Sequence, residues 1–412
     1  MLIIYGALSL GGIETFIVRL AKQRFMEGKK TKICLILPLK LDRNNFDLLE
    51  TVKQFAEIYY FDDLFEKKFI HWRLFLLHKL NKIKISQILE DCDLIHVADG
   101  QSALIAQEFI KVSQKKIPIT VGVYHALEFS WTSKIQPYFE KINRKFIYEE
   151  MDSTNLLCFS QSTKDYLKES TGFNINNAQT FRLGVVNNIR STTNLSNKID
   201  DVYRLCTVGR LVDFKAYNIW LPEVIFNLNA KGYHVSLDIY GEGDMEEDIK
   251  KMIEKYPDYT KLLPSFDYSM FNNVVQKYDL FLGSGTAIVQ ASALKIPSII
   301  GIESIKEPLT YGFFSDFYKY EYHRDGQSFK KILVSDLIQE YIVSSSAEKA
   351  DLKIKHQLAA NEFSIEECSA NMDDSRYQIN TYYKYNKYLY HFTKILFQIK
   401  LKIMRKTIYH KG

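Results

Sequence analysis

Two cations five residues apart could bind phosphate in the segment 208–215, which reads VGRLVDFK. Arg210 and Lys215 follow an apolar run, residues 204–208, that predicts a buried strand. On a loop that leaves a strand, an arginine can form two parallel hydrogen bonds to a diphosphate, while a lysine adds a point charge. The spacing alone fits two hydrated surface cations better, because charged loop residues usually face water.

A glycine-containing turn near the amino terminus could approach an anion. Residues 11–14 read GGIE, and glycines there let backbone amides meet a ligand at the amino terminus of a helix. Alone, the pattern is as compatible with a plain tight turn as with a ligand-lining one. A P-loop is excluded, because Gly6 and Gly11 are followed by Gly12 and Ile13 in place of Lys and Ser or Thr.

A second glycine-containing turn lies in residues 282–297, LGSGTAIVQASALKIP. It follows a predicted strand and opens a helix, so the amides near Gly285 and Thr286 are expected at a positive helix end suited to phosphate. Gln290, about one turn further on, could hydrogen-bond a sugar hydroxyl. An ordinary glutamine on a helix surface is the alternative.

The elements that position these segments follow a regular alternation. Short apolar runs alternate with amphipathic stretches, which indicates βαβ units and parallel sheets covered by helices. A polar segment at 185–200 predicts a linker between two domains, and open parallel sheets bind ligands at the carboxyl ends of their strands. The predicted strands are residues 2–5, 31–37, 94–97, 117–124, 204–208, 235–240, 280–282 and 298–300; the predicted helices are 13–27, 101–113, 219–231, 246–255 and 287–294.

Composition narrows the class of protein. The chain is 46% hydrophobic and 25% charged, the balance of a soluble globular protein. Its five scattered cysteines have no CxxC or zinc-ligand spacing, which favours a reducing compartment over a disulfide framework. The amino terminus lacks the basic segment of a signal peptide, and no apolar run approaches the roughly 18 residues of a membrane span. We therefore expect a cytoplasmic protein whose membrane contact, if any, is peripheral.

The carboxyl-terminal segment 375–412 is strongly basic and contains no Asp or Glu. From Tyr382 onward, aromatic, aliphatic and basic residues interleave, as in a helix that lies on an anionic membrane surface. Nucleic acid is a lesser alternative, and we expect none as a partner, because no nucleic-acid-binding signature accompanies the tail. Residues 67–84 are a second candidate for membrane contact, or a core-facing helix with a solvated basic edge.

Together, these segments and their order resemble the retaining GT-B glycosyltransferases of the glycogen-synthase-like family 4. That family shows a glycine pair followed by Glu, then VGRL-x-x-x-K, then a strand ending in glycine and a Glu-bearing helix. The resemblance covers roughly residues 1–370, and LDIYGEGDME at 237–246 matches the family's strand and G-x-G loop. It implies an α/β fold of two Rossmann-like domains, 1–188 and 189–370, with parallel sheets facing across a cleft, and a helical basic tail at 371–412.

The resemblance also implies roles for individual residues. Arg210 and Lys215 would hold the diphosphate of a nucleotide-sugar donor, and Gly12 would line the cleft between donor and acceptor. His125, at the end of a predicted strand, would contact the donor sugar, although a lone histidine is otherwise more often structural. The implied catalytic residues are His125, Arg210 and Lys215, and the implied donor-binding residues are Gly11, Gly12, Gly209, Arg210, Lys215, Gly241, Gly285, Thr286, Ala287 and Gln290.

One departure concerns the family's two glutamates, which have seven residues between them. Their places fall on Leu282 and Gln290, and a neutral amide pairs differently from a carboxylate. The expected function is transfer from a nucleotide-diphosphate sugar, UDP-linked, to a lipid-linked or growing glycan acceptor of a bacterial surface polysaccharide, either lipopolysaccharide O-antigen or capsule, with retention. A catalytically impaired GT-B protein that binds a nucleotide sugar or a partner is the alternative. No metal or cofactor is expected, because no Asp-x-Asp cluster follows a predicted strand.

Overall fold

The chain forms two compact units, each built on its own parallel sheet. The computed structural model describes residues 1–9, 11–41, 43–66, 71–124, 129, 136–187, 201–374 and 382–403. The first unit comprises Met1–Leu183 and Cys368–Gly412, and the second comprises Gly184–Glu367. The second unit is therefore inserted into the sequence of the first.

Seven parallel strands form the sheet of the first unit. They are β1 Leu2–Tyr5, β2 Lys32–Leu35, β3 Glu57–Tyr60, β4 Ile95–Val97, β5 Ile119–Val123, β6 Leu156–Cys158 and β7 Gln179–Thr180. Their order is β3-β2-β1-β4-β5-β6-β7, so the strand order reverses at β1, where open parallel sheets bind ligands. Leu2, Ile3 and Ile4 are buried, since a strand covered on both faces has no polar side.

Six helices follow strands or connections of this unit, and local sequence signals set their ends. They are α1 Gly12–Met26, α2 Phe46–Lys53, α3 Lys82–Ile88, α4 Gly100–Ser113, α5 Tyr138–Lys145 and α6 Gln161–Thr171. Asp99 caps α4 by accepting a hydrogen bond from the Ser102 amide at 2.9 Å. Gly172 ends α6 at a φ of 71°, in the left-handed region that favours glycine.

Five parallel strands and a small antiparallel pair form the second unit. The strands are β8 Tyr203–Val208, β9 Val235–Tyr240, β10 Thr260–Leu263, β11 Leu280–Gly283, β12 Ser298–Ile300, β13 Leu309–Thr310 and β14 Ile332–Leu333. The parallel order is β10-β9-β8-β11-β12, so the reversal lies at β8, and β13 pairs with β14. The helices are α7 Tyr217–Ala230, α8 Glu246–Lys255, α9 Phe271–Val275, α10 Gly285–Ala293, α11 Phe314–Phe317, α12 Val334–Val343 and α13 Ser346–Asn361.

The chain returns to the first unit through two last helices, α14 Ile365–Met372 and α15 Lys387–Ile403. α15 packs on α5. Tyr390 is fully buried there, and its hydroxyl donates to Asn143 Oδ1 at 2.9 Å. Lys387 forms an ion pair with Glu108 of α4 at 2.7 Å. The tail helix is thus an integral part of the first unit.

The architecture confirms the sequence prediction of two α/β domains with parallel sheets. The strands and helices predicted from the alternation of apolar and amphipathic runs all occur within a few residues of their expected ends. The first residues of the predicted linker, Val185 and Val186, are instead part of the second unit. Both are buried, and their amides donate to the Phe363 carbonyl oxygen. Residues 188–200 lie outside the described part of the chain.

The single helix predicted over residues 67–84 was wrong. Residues 67–70 lie outside the described part of the chain, and a 3-10 helix, Trp72–Leu77, is separated from α3 by extended backbone at His78. An isolated antiparallel bridge between Phe65 and Leu80 interrupts any continuous helix. Phe75 and Leu76 are buried in the core, so these two apolar residues serve packing.

Candidate functional site

Three loops leave the carboxyl ends of adjacent strands in the second unit. They follow β8, β11 and β12, which lie side by side at the point where the strand order reverses. The Gly301 amide donates to the Gly283 carbonyl oxygen at 2.8 Å, and the Ser304 amide donates to the Phe214 carbonyl oxygen at 2.6 Å. The three loops therefore form one connected surface at the edge of the sheet, where such folds bind ligands.

The loop that carries Arg210 and Lys215 is held by backbone hydrogen bonds and packs closely against two glycines, Gly241 and Gly243. The Gly209 amide donates to the Tyr240 carbonyl oxygen at 3.0 Å, and the Leu211 amide donates to the Glu242 carbonyl oxygen at 2.9 Å. Gly241 and Gly243 have φ values of 155° and 154°, and a Cβ on either would collide with a carbonyl oxygen of this loop. Gly241, predicted to bind the donor, therefore supports the cation loop from behind; donor contact by it stays a prediction.

The two predicted cations, Arg210 and Lys215, are both on this loop. Arg210 is exposed and Lys215 is half-buried, with its Nζ 2.8 Å from the position that a Cβ on Gly209 would occupy. Burial lowers the pKa of Lys215; the charge of Glu303 opposes this and that of Arg210 adds to it. Within the described residues, neither cation forms an ion pair with a carboxylate. Their charge is available to an anion.

The turn into α10 places backbone amides at the same edge. Ser284 precedes the helix, and its side chain does not cap it. Gly285 has a φ of 63°, with nothing near its absent Cβ, so the backbone is open to a ligand. The first-turn amides of Gly285, Thr286 and Ala287 keep the positive end of the helix available for phosphate.

Gln290 and Leu282, which stand at the family's glutamate places, are engaged elsewhere. Leu282 is fully buried in β11 and cannot meet a ligand. The Gln290 side-chain nitrogen donates to Asn272 Oδ1 at 3.2 Å. Contact between Gln290 and ribose would require that bond to open or be shared, and it stays a prediction.

In the first unit, the predicted turn at Gly11 and Gly12 holds a carboxylate of its own. Glu14 is buried, and its Oε1 accepts hydrogen bonds from the Ser9 hydroxyl at 2.8 Å and the Tyr5 hydroxyl at 3.3 Å. Its other oxygen lies against Gly11, where a Cβ would collide with it. The positive end of α1 is therefore already occupied by a negative charge.

His125 lies outside the described residues, but the residue before it belongs to a buried polar network. Tyr124 bonds through its hydroxyl to His96 Nε2 at 2.7 Å, and His96 Nδ1 lies 3.0 Å from the Thr120 hydroxyl. Tyr124 also stacks on Phe159, with ring centroids 4.8 Å apart. These contacts fix the carboxyl end of β5, from which His125 continues.

Sequence reasoning missed the carboxylates Glu14 and Glu303 as site residues. Glu303 follows β12, and its Oε1 accepts a hydrogen bond from the Ser284 hydroxyl at 2.7 Å. Its position just after a predicted strand next to the glycine turn was a usable signal, because carboxyl ends of neighbouring parallel strands meet at one edge. Glu14 was noticed only as part of GGIE.

The described residues contain neither a membrane-spanning helix nor a metal-binding cluster. No helix there is long and apolar enough to cross a bilayer. No group of three His, Cys, Asp or Glu side chains in that part of the chain is placed to hold a metal ion.

Comparison with solved structures identifies similar folds in glycosyltransferases. HepE of Anabaena, in complex with UDP-glucose, is 14% identical, with a TM-score of 0.59 over 90% of this chain and 98% of HepE. TarM of S. aureus, in a complex that includes UDP, is 14% identical, with a TM-score of 0.60 over 91% of this chain and 99% of TarM. WaaG, a glycosyltransferase involved in lipopolysaccharide biosynthesis, is 11% identical, with a TM-score of 0.57 over 90% and 98%.

These likenesses show the fold, which is GT-B: two Rossmann-like α/β domains with parallel sheets. No family model matches the sequence, and no curated protein matches it in a sequence comparison.

Proposed function

We propose that this protein is a glycosyltransferase whose second unit binds a nucleotide-diphosphate sugar, UDP-linked, through its diphosphate. The observation that carries the proposal is the pair Arg210 and Lys215, which lack carboxylate partners in the described structure and share a sheet edge with the open turn at Gly285. The UDP and UDP-glucose complexes of proteins with the same fold support the choice of donor.

In the proposed reaction, the bond between the sugar's anomeric carbon and the diphosphate oxygen breaks, and the oxygen of an acceptor hydroxyl forms the new bond to that carbon. The hydroxyl proton is released, and the nucleoside diphosphate leaves. The transition state resembles an oxocarbenium ion, so negative charge grows on the departing diphosphate. Arg210, Lys215 and the amides that open α10 would stabilise that charge, which makes a metal unnecessary in the proposal. Retention of configuration is proposed from the family 4 resemblance.

The first unit is proposed to bind the acceptor. A buried carboxylate at the turn of Gly11 and Gly12 would repel phosphate and attract hydroxyl groups, because an ionised carboxylate only accepts hydrogen bonds. His125, which continues from the fixed end of β5, is proposed to contact the donor sugar. A lipid-linked or growing glycan of a bacterial surface polysaccharide is the proposed acceptor; WaaG, of the same fold, acts in lipopolysaccharide biosynthesis.

A peripheral membrane contact through α15, on the cytoplasmic face of the cell membrane, is the remaining part of the proposal. One side of the helix packs on the first unit, whereas the other exposes apolar residues between lysines. Aromatic and aliphatic side chains flanked by cations suit the headgroup region of an anionic bilayer. The exposed apolar residues are Tyr388, Leu389, Phe392, Leu396 and Ile399.

Point substitutions test the membrane contact better than deletion, because deletion would remove the buried Tyr390 from the core. Phe392→Asp combined with Leu396→Asp should abolish co-flotation with vesicles containing phosphatidylglycerol. The matched control is Leu358→Asp, which changes an apolar residue of α13 that is 61% exposed. Unchanged flotation of the double variant would contradict the proposed contact.

Donor chemistry is tested with purified protein, UDP and a panel of UDP-sugars. Wild type should bind UDP and release UDP from one donor when acceptor is supplied. Arg210→Ala should slow that release by about two orders of magnitude, as for loss of one charge-stabilising donor. A protein that binds UDP-sugars but releases no UDP, with or without Arg210, would instead be the impaired binding protein suggested by Leu282 and Gln290.

A further inference from the structure

Glu303 occupies a constrained loop position beside the proposed phosphate site. Its amide donates to the His323 carbonyl oxygen at 2.8 Å, and the next amide, of Ser304, bonds to the cation loop at Phe214. Ser304 has a φ of 65°, a left-handed conformation that non-glycine residues seldom adopt. The backbone on both sides of the carboxylate is therefore held firmly enough to keep it in place.

One oxygen of the Glu303 carboxylate is engaged and the other is available. Oε1 accepts the hydrogen bond of the Ser284 hydroxyl, and Ser284 itself is only 2% exposed. Among the described residues, no donor reaches Oε2 within hydrogen-bond distance. The side chain is half-buried, so this oxygen has limited access to water.

The charge of Glu303 is unexpected at this place. It acts on Lys215 electrostatically, yet the two groups do not form an ion pair within 4.0 Å. The carboxylate therefore does not simply neutralise the lysine, and it would repel the diphosphate that the cations attract. Its repulsion of a diphosphate would be offset if another part of the ligand donates hydrogen bonds to it.

We propose that Glu303 binds a hydroxyl group of the sugar carried by the donor. This inference rests on the proposed function and names the group that recognises the sugar there. An ionised carboxylate accepts hydrogen bonds, and sugar hydroxyls supply them. Because only the intact donor carries the sugar, Glu303 would favour the donor over the nucleoside diphosphate product, which gains no hydroxyl contact and still meets the repulsive charge.

Binding of UDP and of UDP-sugars to Glu303→Gln tests the proposal. UDP, UDP-glucose and UDP-N-acetylglucosamine are each titrated calorimetrically against wild type and variant. For the sugar that wild type prefers, the variant should lose about tenfold in affinity, the scale of one charged hydrogen bond. Its affinity for UDP should stay equal or rise, because a repulsive charge has gone. Glu307→Gln, an exposed change on the same loop, should alter neither.

Glu303→Asp keeps the charge, withdraws the carboxylate by one methylene group, and covers the case in which the glutamine variant fails to fold. It should also weaken UDP-sugar binding while UDP binding is kept. Equal losses for UDP and UDP-sugar, or no loss for either, would overturn the role of Glu303 and leave the proposed function standing. A wild-type protein that binds neither UDP nor any UDP-sugar would overturn both.

Discussion

The glycine turns at the strand-order reversals of the two sheets differ in charge. At the first, beside β1, the carboxylate of Glu14 folds back onto Gly11 and fills the positive end of α1. At the second, beside β8, Arg210 and Lys215 have no carboxylate partner in the described structure. The same topology thus carries negative charge at one turn and positive charge at the other, and the proposed acceptor and donor sites rest on this difference.

The two turns also differ in how they are held. Side-chain hydrogen bonds from Ser9 and Tyr5 hold the first turn's carboxylate. Backbone hydrogen bonds to the loop at Gly241 and Gly243 hold the second, and they require residues without a Cβ. A Cβ added at Gly11 of the first turn therefore meets only a side chain, whereas a Cβ added at Gly241 or Gly243 meets backbone of the second.

The largest effect is expected from Lys215→Met, which removes the charge and keeps most of the side-chain volume. Sugar transfer should fall by about two to three orders of magnitude, because the diphosphate loses a stabilising cation. Steady-state release of UDP measures it. The exposed Lys231→Met is the control and should leave the rate unchanged. Near-normal transfer by Lys215→Met would show that the positive charge of the second turn does not serve catalysis.

A matched glycine pair tests how each turn is held. Gly241→Ala should destabilise the protein by about 3 kcal/mol, because the new Cβ meets backbone at a positive φ. Gly11→Ala should cost less than about 1 kcal/mol, since its backbone is extended and the Cβ meets only the flexible end of Glu14. Urea unfolding followed by circular dichroism compares them. Similar losses would contradict the distinction.

The variant Glu14→Gln tests whether the first turn binds the acceptor. The rate of transfer at low acceptor concentration should fall by about tenfold, which is about 1.4 kcal/mol. Affinity for UDP should stay within a factor of about two, because the proposed diphosphate site belongs to the other unit. A large change in UDP affinity with normal use of acceptor would place the donor at the first turn instead.

The smallest effect concerns pH. Because burial lowers the pKa of Lys215, it loses its proton at a lower pH than an ordinary lysine, and UDP affinity should fall as pH rises on the alkaline side. Calorimetry between about pH 7.5 and 9.5 should show a decline of a few-fold in wild type. Lys215→Arg stays charged and should show none. A decline shared by both would assign the titration to another group.

The alternation of apolar runs predicted both sheets and most strands, because buried parallel strands are apolar on both faces. The positions of Arg210, Lys215 and Gly285 on loops that follow strands were also predicted, whereas their roles in binding phosphate, implied by the family 4 resemblance, stay predictions. Glu303 was missed because its relation to Ser284 is a tertiary contact across 19 residues. The break at His78 was missed because a bridge between Phe65 and Leu80, and not helix propensity, decides it.

The return of α15 to the first unit has a consequence for synthesis. Residues 184–367 form one contiguous stretch and can finish folding as soon as they leave the ribosome. The first unit starts earlier in the chain, but the pocket that receives Tyr390 stays empty until α15 has been translated. The domain whose strands emerge first is therefore completed last, and nascent chains stalled before residue 387 should bind chaperones through that open apolar surface.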